Sequence, residues 1–220
     1  MSSHTPGTRV QRMPRAQRRA QLLEAALSVF VSKGYHAAAM EDIADEAGVS
    51  KPVLYQHFPG KLELYLALLD GQCDHLETLV LEALGSSEDH EERVYATVGA
   101  FFNFVADEGG AFRLIYESDL TNDPQVRHRI DALEAQLGEA IALRIIQDTP
   151  LPKELAEMLG LAMSGAAQVM ARTWLAHGAH FPKEVAAQAA GHLAWRGIGS
   201  FPVNRMGTAG DPGTDAVAGE

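Results

Sequence analysis

Residues 41–58 read EDIADEAGVSKPVLYQHF, and Ala44, Gly48 and Leu54 stand in this run at the spacing that two short helices joined by a tight turn require. Each position answers a physical need. A small side chain at Ala44 lets the two backbones approach, and Gly48 can take a positive φ at little cost. Leu54 supplies an apolar plug that seats the second helix against Ile43 and the long helix before it. Val49-Ser50 leaves the turn, with Ser50 placed to cap the second helix and Pro52 in its first turn, where no N–H is missed. The joint spacing reads as a helix-turn-helix. An ordinary short helical hairpin is the alternative.

The flanking sequence continues the helical period. A first helix is expected from Pro14 or Arg15 to Lys33, with Leu23, Ala26, Leu27 and Phe30 on one face and Gly34 as its stop. Short helices follow over 40–47 and 51–57. Pro59-Gly60 then breaks the chain before a long helix over 61–84, whose Leu62, Leu69, Cys73, Leu76, Val80 and Leu84 form one stripe. Further helices are expected over 89–107, 110–118, 123–147, 152–177 and 182–198, separated by Gly- and Pro-bearing breaks. No alternating run of β-branched residues competes, so the fold class is all-α. Residues 1–13 and the Gly- and Pro-rich 201–220 are expected to be disordered ends.

The net charge of -11 argues against a polyanionic partner until its distribution is considered. Residues 1–61 carry eight basic side chains against five acidic, and the rest carries ten against 24. A basic head on an acidic body suits a nucleic-acid reader with a separate sensing part; a solvated basic tail is the bland alternative. No stretch reaches the roughly 18 apolar residues of a membrane span, and the polar, Arg-bearing start is no secretory signal, so no membrane partner and a cytoplasmic address are expected. Cys73 is the one cysteine, which excludes an intrachain disulfide and a thiolate metal site. There is no phosphate loop, nucleophile elbow or HExxH, so no catalytic residue, metal site or cofactor is assigned. His177 and His180 straddle Gly178 and read as helix-end histidines.

Gly34-Tyr35, Ile43-Ala44, Ala47-Gly48-Val49-Ser50, Leu54-Tyr55-Gln56-His57-Phe58 and Lys61 together resemble the DNA-binding half of the TetR family of transcription regulators. The resemblance implies a three-helix DNA-binding head over 14–61, a helical ligand-binding and dimerisation domain over 62–200, and a homodimer on an inverted repeat of double-stranded DNA. It implies further that the helix after the turn enters the major groove. Ser50, Lys51, Pro52, Val53, Tyr55, Gln56 and His57 then face DNA, with Lys51 at a guanine edge or a phosphate and Val53 at a thymine methyl. Lys61 would add its charge to a helix N-terminus that already favours an anion. Arg15, Arg18 and Arg19 look like an arm along the backbone or the minor groove, or else a solvated basic segment. Two departures stand out. Ala37-Ala38-Ala39 lacks the hydroxyl that often caps the first helix of the motif, and Pro52-Val53 replaces the common Gly-Thr pair.

For the second half, the family layout turns attention to Phe101, Phe102, Phe104, Phe112 and Tyr116, the densest aromatic cluster of the chain. Leu69, Cys73, Leu76, Val80 and Leu84 would face Phe101, Phe104, Phe112 and Tyr116 and line a narrow apolar tunnel; a closed core is the alternative. Small residues from Gly160 to Ala167, with Met163, Ala166, Met170, Trp174, Ala190 and Leu193, fit a four-helix dimer interface; a buried intramolecular helix is the alternative. VSKPVLYQHFPGKLELYLALL, AFFNFV, FRLIYESDL and LAWRGIG are similar to actinobacterial regulators of fatty-acid synthesis within the family. That similarity implies a small apolar or amphipathic ligand, specifically a long-chain acyl-CoA. Competing expectations are a drug-efflux regulator that binds bulky aromatic or cationic compounds through carboxylates such as Glu117 or Asp119, and an all-α acyl-thioester enzyme.

Overall fold

The computed structural model describes residues 13–107, 114–116, 120, 122–178 and 180–197. Among these every regular element is a helix: α1 (Arg15–Ala37), α2 (Met40–Glu46), α3 (Lys51–His57), α4 (Lys61–Leu84), α5 (His90–Asp107), α6 (Pro124–Asp148), α7 (Lys153–Ala176) and α8 (Lys183–Arg196). Residues 114–116 are also helical, within the stretch where 110–118 was expected. The expected disordered ends, Met13 excepted, and Phe112, Glu117 and Asp119 lie outside the described residues.

Helices α1, α2 and α3 wrap one apolar centre. Leu22, Ala26 and Phe30 of α1, Ile43 and Ala44 of α2, Leu54 of α3 and Phe58 beyond it are buried, and each such large side chain contributes about 1.5 to 3 kcal/mol. The turn between α2 and α3 is built as its sequence requires: Gly48 sits at φ +64, and the Val49 N–H donates to the Ala44 carbonyl at 2.9 Å. Nothing lies within 4 Å of a Cβ added at Gly48, so conformation and not space selects glycine there. Gly34 breaks α1 with φ 75, after which helical turns resume to Ala37; the expected stop is thus a kink. Ser50 occupies the N-cap of α3 but makes no side-chain cap bond, which corrects the expected cap and leaves its exposed hydroxyl outward. At α2, where no hydroxyl is present, Asp42 Oδ2 accepts the Ala39 N–H at 3.0 Å instead.

Helix α4 runs from this head into the second half, packing on α1, α5 and α6. Helices α6 and α7 make the most extensive helix pair, and α5 lies against α8. The α6–α7 crossing is tight because two glycines meet: a Cβ added at Gly160 would fall on the Gly138 carbonyl oxygen, and one added at Gly138 would lie 2.5 Å from Leu161 Cδ2. Part of the small-residue stripe assigned to a dimer interface therefore serves a contact within the chain.

Candidate functional site

The basic arm and the second helix of the turn motif come together in space. Met13, Arg15, Arg18, Val53, Gln56 and His57 line one concave surface of about 620 Å³. Arg18 is fixed there by a relay in which its Nη1 donates to Gln21 Oε1 at 2.7 Å and Gln21 Nε2 donates to the Ala47 carbonyl at 2.8 Å. That relay ties the arm to the turn itself. Arg19 lies 4.4 Å above the Phe58 ring, a cation–π contact at the end of α3. His57 has its pKa lowered, first by partial burial and then by Arg15, Arg19 and Arg18. Tyr55, 47% exposed, and Gln56 point outward from α3.

Two lysines are engaged. Lys51 Nζ pairs with Glu41 Oε1 at 2.5 Å, which raises the lysine pKa and lowers that of the carboxyl. Lys61 departs from expectation: its ammonium donates to the carbonyls of Tyr35 at 2.8 Å, His36 at 3.4 Å and Ala38 at 2.8 Å, over the Tyr35 ring. It closes the carbonyl end of α1 and pins the start of α4, so its three N–H donors are spent inside the protein. Sequence spacing showed neither engagement, because each partner belongs to a different helix or turn.

An aromatic cluster adjoins that pin. Tyr65 meets Phe30 at 5.4 Å and Tyr35 at 5.3 Å between ring centroids, both edge-on. Its hydroxyl donates to the Leu114 carbonyl at 3.0 Å, so one buried side chain touches both the head and the segment between α5 and α6. Displacement of α4 therefore has a packed route to the turn motif.

Among the described residues, the expected tunnel walls are buried. Leu69, Leu76, Val80, Leu84, Phe101 and Phe104 are all buried in the continuous core, as is Cys73, whose thiol burial pushes up to about 12. Tyr116 lines a hollow of about 330 Å³ between α6 and α7, with Glu134, Leu161, Ser164, Gln168, Val169 and Arg172. Gln168 and Ser164 are buried in its wall and bonded to one another at 3.3 Å. Burial raises the pKa of Glu134 and, more strongly, that of Tyr116, on which Cys73 of α4 also acts.

Of the assigned interface residues, Ala190 is 3% exposed and is already used within the chain, a correction that follows from the close packing of α8 on α5. Met163, Met170 and Trp174 pack partly on the core, and Trp174 Nε1 donates to the Phe181 carbonyl at 2.9 Å. Ala166 and Leu193 are exposed, and they share that exposure with Leu161, Val169, Val185 and Trp195.

Known proteins share the sequence motif and the fold. The profile of bacterial regulatory proteins of the tetR family matches residues 22–68. The HTH-type transcriptional activator FasR of Mycolicibacterium smegmatis is 41% identical over 197 residues, 90% of either chain. A tetR-family transcriptional regulator from Streptomyces coelicolor, 26% identical, superposes with TM-score 0.70 over 83% of this chain and 80% of that one. FadR from Bacillus subtilis in complex with stearoyl-CoA, 18% identical, has the same fold with TM-score 0.65 over 81% of this chain and 98% of its own. These relatives are regulators, which overturns the enzyme alternative. With the turn at Gly48 and a likeness along nine tenths of both chains, this chain belongs to the TetR family and is a DNA-binding transcription regulator.

Proposed function

We propose that the chain is a cytoplasmic regulator of lipid or fatty-acid synthesis genes, whose operator affinity responds to a long-chain acyl-CoA. The observation that carries this reading is the extent of the likeness to FasR, which runs through the ligand half as well as the head. The fold shared with a stearoyl-CoA-bound regulator is consistent with it. Residues 14–61 are taken as the DNA-binding domain and 62–200 as the ligand-binding and dimerisation domain.

In this reading α3 enters the major groove of an inverted-repeat operator, presenting Ser50, Lys51, Pro52, Val53, Tyr55, Gln56 and His57. Arg15, Arg18 and Arg19 follow the backbone or minor groove. Lys61 acts through position, holding α4 to the end of α1. A phosphate beside His57 would offset the repulsion of the three arginines and raise its pKa in the complex. Protons are then taken up on binding, so operator affinity rises as pH falls from the pKa of the complex to the free-state pKa, which lies below the usual histidine value, and levels off below it. Titration of affinity against pH should show this slope in the wild type and a flatter one in His57→Gln; identical slopes exclude the contact.

An acyl chain would enter by the hollow at Tyr116 and lodge against Leu76 and Phe101 only by parting the closed core. Burial of each methylene gives about 0.8 kcal/mol toward that opening, so chain length should decide the response. The displaced α4 carries the change to the head through Lys61 and the Tyr65 cluster. A typical coupling of about 1 to 3 kcal/mol corresponds to a fall of some 5- to 150-fold in operator affinity. Fluorescence anisotropy on the selected operator, with and without saturating palmitoyl-CoA, checks it. Equal affinities would sink the sensing role and leave the DNA-binding role standing.

Dimerisation uses the exposed faces of α7 and α8, through Ala166 with Val185, Leu193 and Trp195. Two heads are needed to span successive major-groove faces about 34 to 36 Å apart. Ala166→Arg should give folded monomers in sedimentation velocity where the wild type gives dimers. A monomeric wild type at micromolar concentration rejects the interface.

A further inference from the structure

We infer that Glu41 is a specificity-determining residue: its carboxylate holds the Lys51 ammonium and yields it only where DNA offers a better-placed acceptor. Glu41 stands in the first turn of α2 and Lys51 opens α3, with 2.5 Å between Oε1 and Nζ. Both side chains are about half exposed, at 55% for Lys51 and 50% for Glu41, so the pair can exchange partners without disturbing the core. Position strengthens the pairing from both ends. A carboxylate is favoured at the N-terminus of α2, whereas an ammonium at the N-terminus of α3 is disfavoured by that helix's dipole and gains from a counter-charge.

Lys51 and His57 are the only basic side chains of α3, and the lowered pKa of His57 favours its neutral form. Pairing with Glu41 therefore removes most of the positive charge that α3 would present to any duplex. At a random phosphate, Lys51 exchanges one anionic oxygen for another and leaves Glu41 unpaired beside the DNA backbone, with little net gain. At a guanine edge, O6 and N7 provide two acceptors in fixed positions, and the exchange becomes favourable. Discrimination arises here from a penalty on the wrong partner. The arm residues Arg15 and Arg18, which line the shared concavity, retain the general attraction.

This inference rests on the reading of Lys51 as a DNA contact, and one set of variants separates the two. Binding is measured on an inverted repeat selected with the wild type from random DNA, and on a scrambled duplex of the same length, across salt concentrations. Glu41→Gln should raise affinity for the scrambled duplex by about threefold at low salt and steepen its log–log salt slope by about 0.9, one added ion contact. Affinity for the selected repeat should change by less than that, so the specificity ratio falls. Glu24→Gln removes a head carboxylate outside this pair and measures general charge repulsion. In a Lys51→Gln background, Glu41→Gln should do no more than Glu24→Gln does. Equal gains on both duplexes, a gain that persists without Lys51, or a loss of affinity for the selected repeat would each overturn the inference. If Lys51→Gln alone leaves both affinities unchanged, the reading of Lys51 itself fails. Circular dichroism of each variant excludes loss of α2 as the cause.

Discussion

Asp148→Ala should cost about 3 to 5 kcal/mol of folding stability, because it strands a charge that the fold has taken out of water. Arg93, on α5, is 5% exposed; its Nη2 pairs with Asp148 Oδ2 at the end of α6, and its Nη1 donates to the Ser87 carbonyl at 3.1 Å. His90 Nε2 approaches the other carboxylate oxygen at 3.7 Å. With Asp148 gone, the guanidinium keeps one neutral acceptor, too little to repay its desolvation. Replacing both partners should tell a different story. Arg93→Met with Asp148→Ala removes the charge together with its counter-charge, and most of the lost stability should return. Urea unfolding of the two single variants and the double variant gives the coupling directly. A loss under about 1 kcal/mol in Asp148→Ala would show that water reaches the guanidinium and that the pair ranks with surface ion pairs.

This clip joins positions 55 apart in sequence, which explains why nothing in the local pattern announced it. The turn motif was legible because its constraints are local: Gly48 needs a positive φ four residues after Ala44, and Leu54 falls on the inner face of α3 by helical period alone. Helix boundaries were legible for the same reason. The engagement of Lys61 was not, since the sequence shows a cation at a helix start and conceals the three carbonyls turned toward it by the kink at Gly34. Nor could the stripe on α4 distinguish a tunnel wall from a filled core. Leu76 and Phe101 present the same residue types in either case, and it is the packing of α5 and α6 on α4 that buries them. Glycine and alanine on α7 were likewise read as one interface when they divide by helix face, Gly160 and Ala167 inward and Ala166 outward.

That division gives opposite outcomes for two glycine-to-alanine substitutions. In the interior of a helix, alanine is ordinarily favoured over glycine by about 0.5 to 1 kcal/mol, because it has less backbone freedom to lose. Gly71, exposed midway along α4, has nothing within 4 Å of an added Cβ, so Gly71→Ala should stabilise the protein by about that amount. Gly160→Ala should do the reverse. Its Cβ would fall on the Gly138 carbonyl oxygen and lie 2.9 Å from the Ala142 nitrogen and 3.1 Å from the Ala142 Cβ. The first two are backbone atoms, which no rotamer change can move aside. Relief requires α6 and α7 to separate along their largest contact, opening space around buried Leu137 and Ala142. Overpacking costs about 1 to 3 kcal/mol where side chains can yield, and the cost here should lie at or above the top of that range. Because the hollow at Tyr116 is framed by the same two helices, Gly160→Ala should also shift its response to palmitoyl-CoA, while Gly71→Ala leaves that response unchanged. Chemical denaturation of both variants decides the packing claim: a Gly160→Ala protein as stable as the wild type means that the two helices do not meet backbone to backbone.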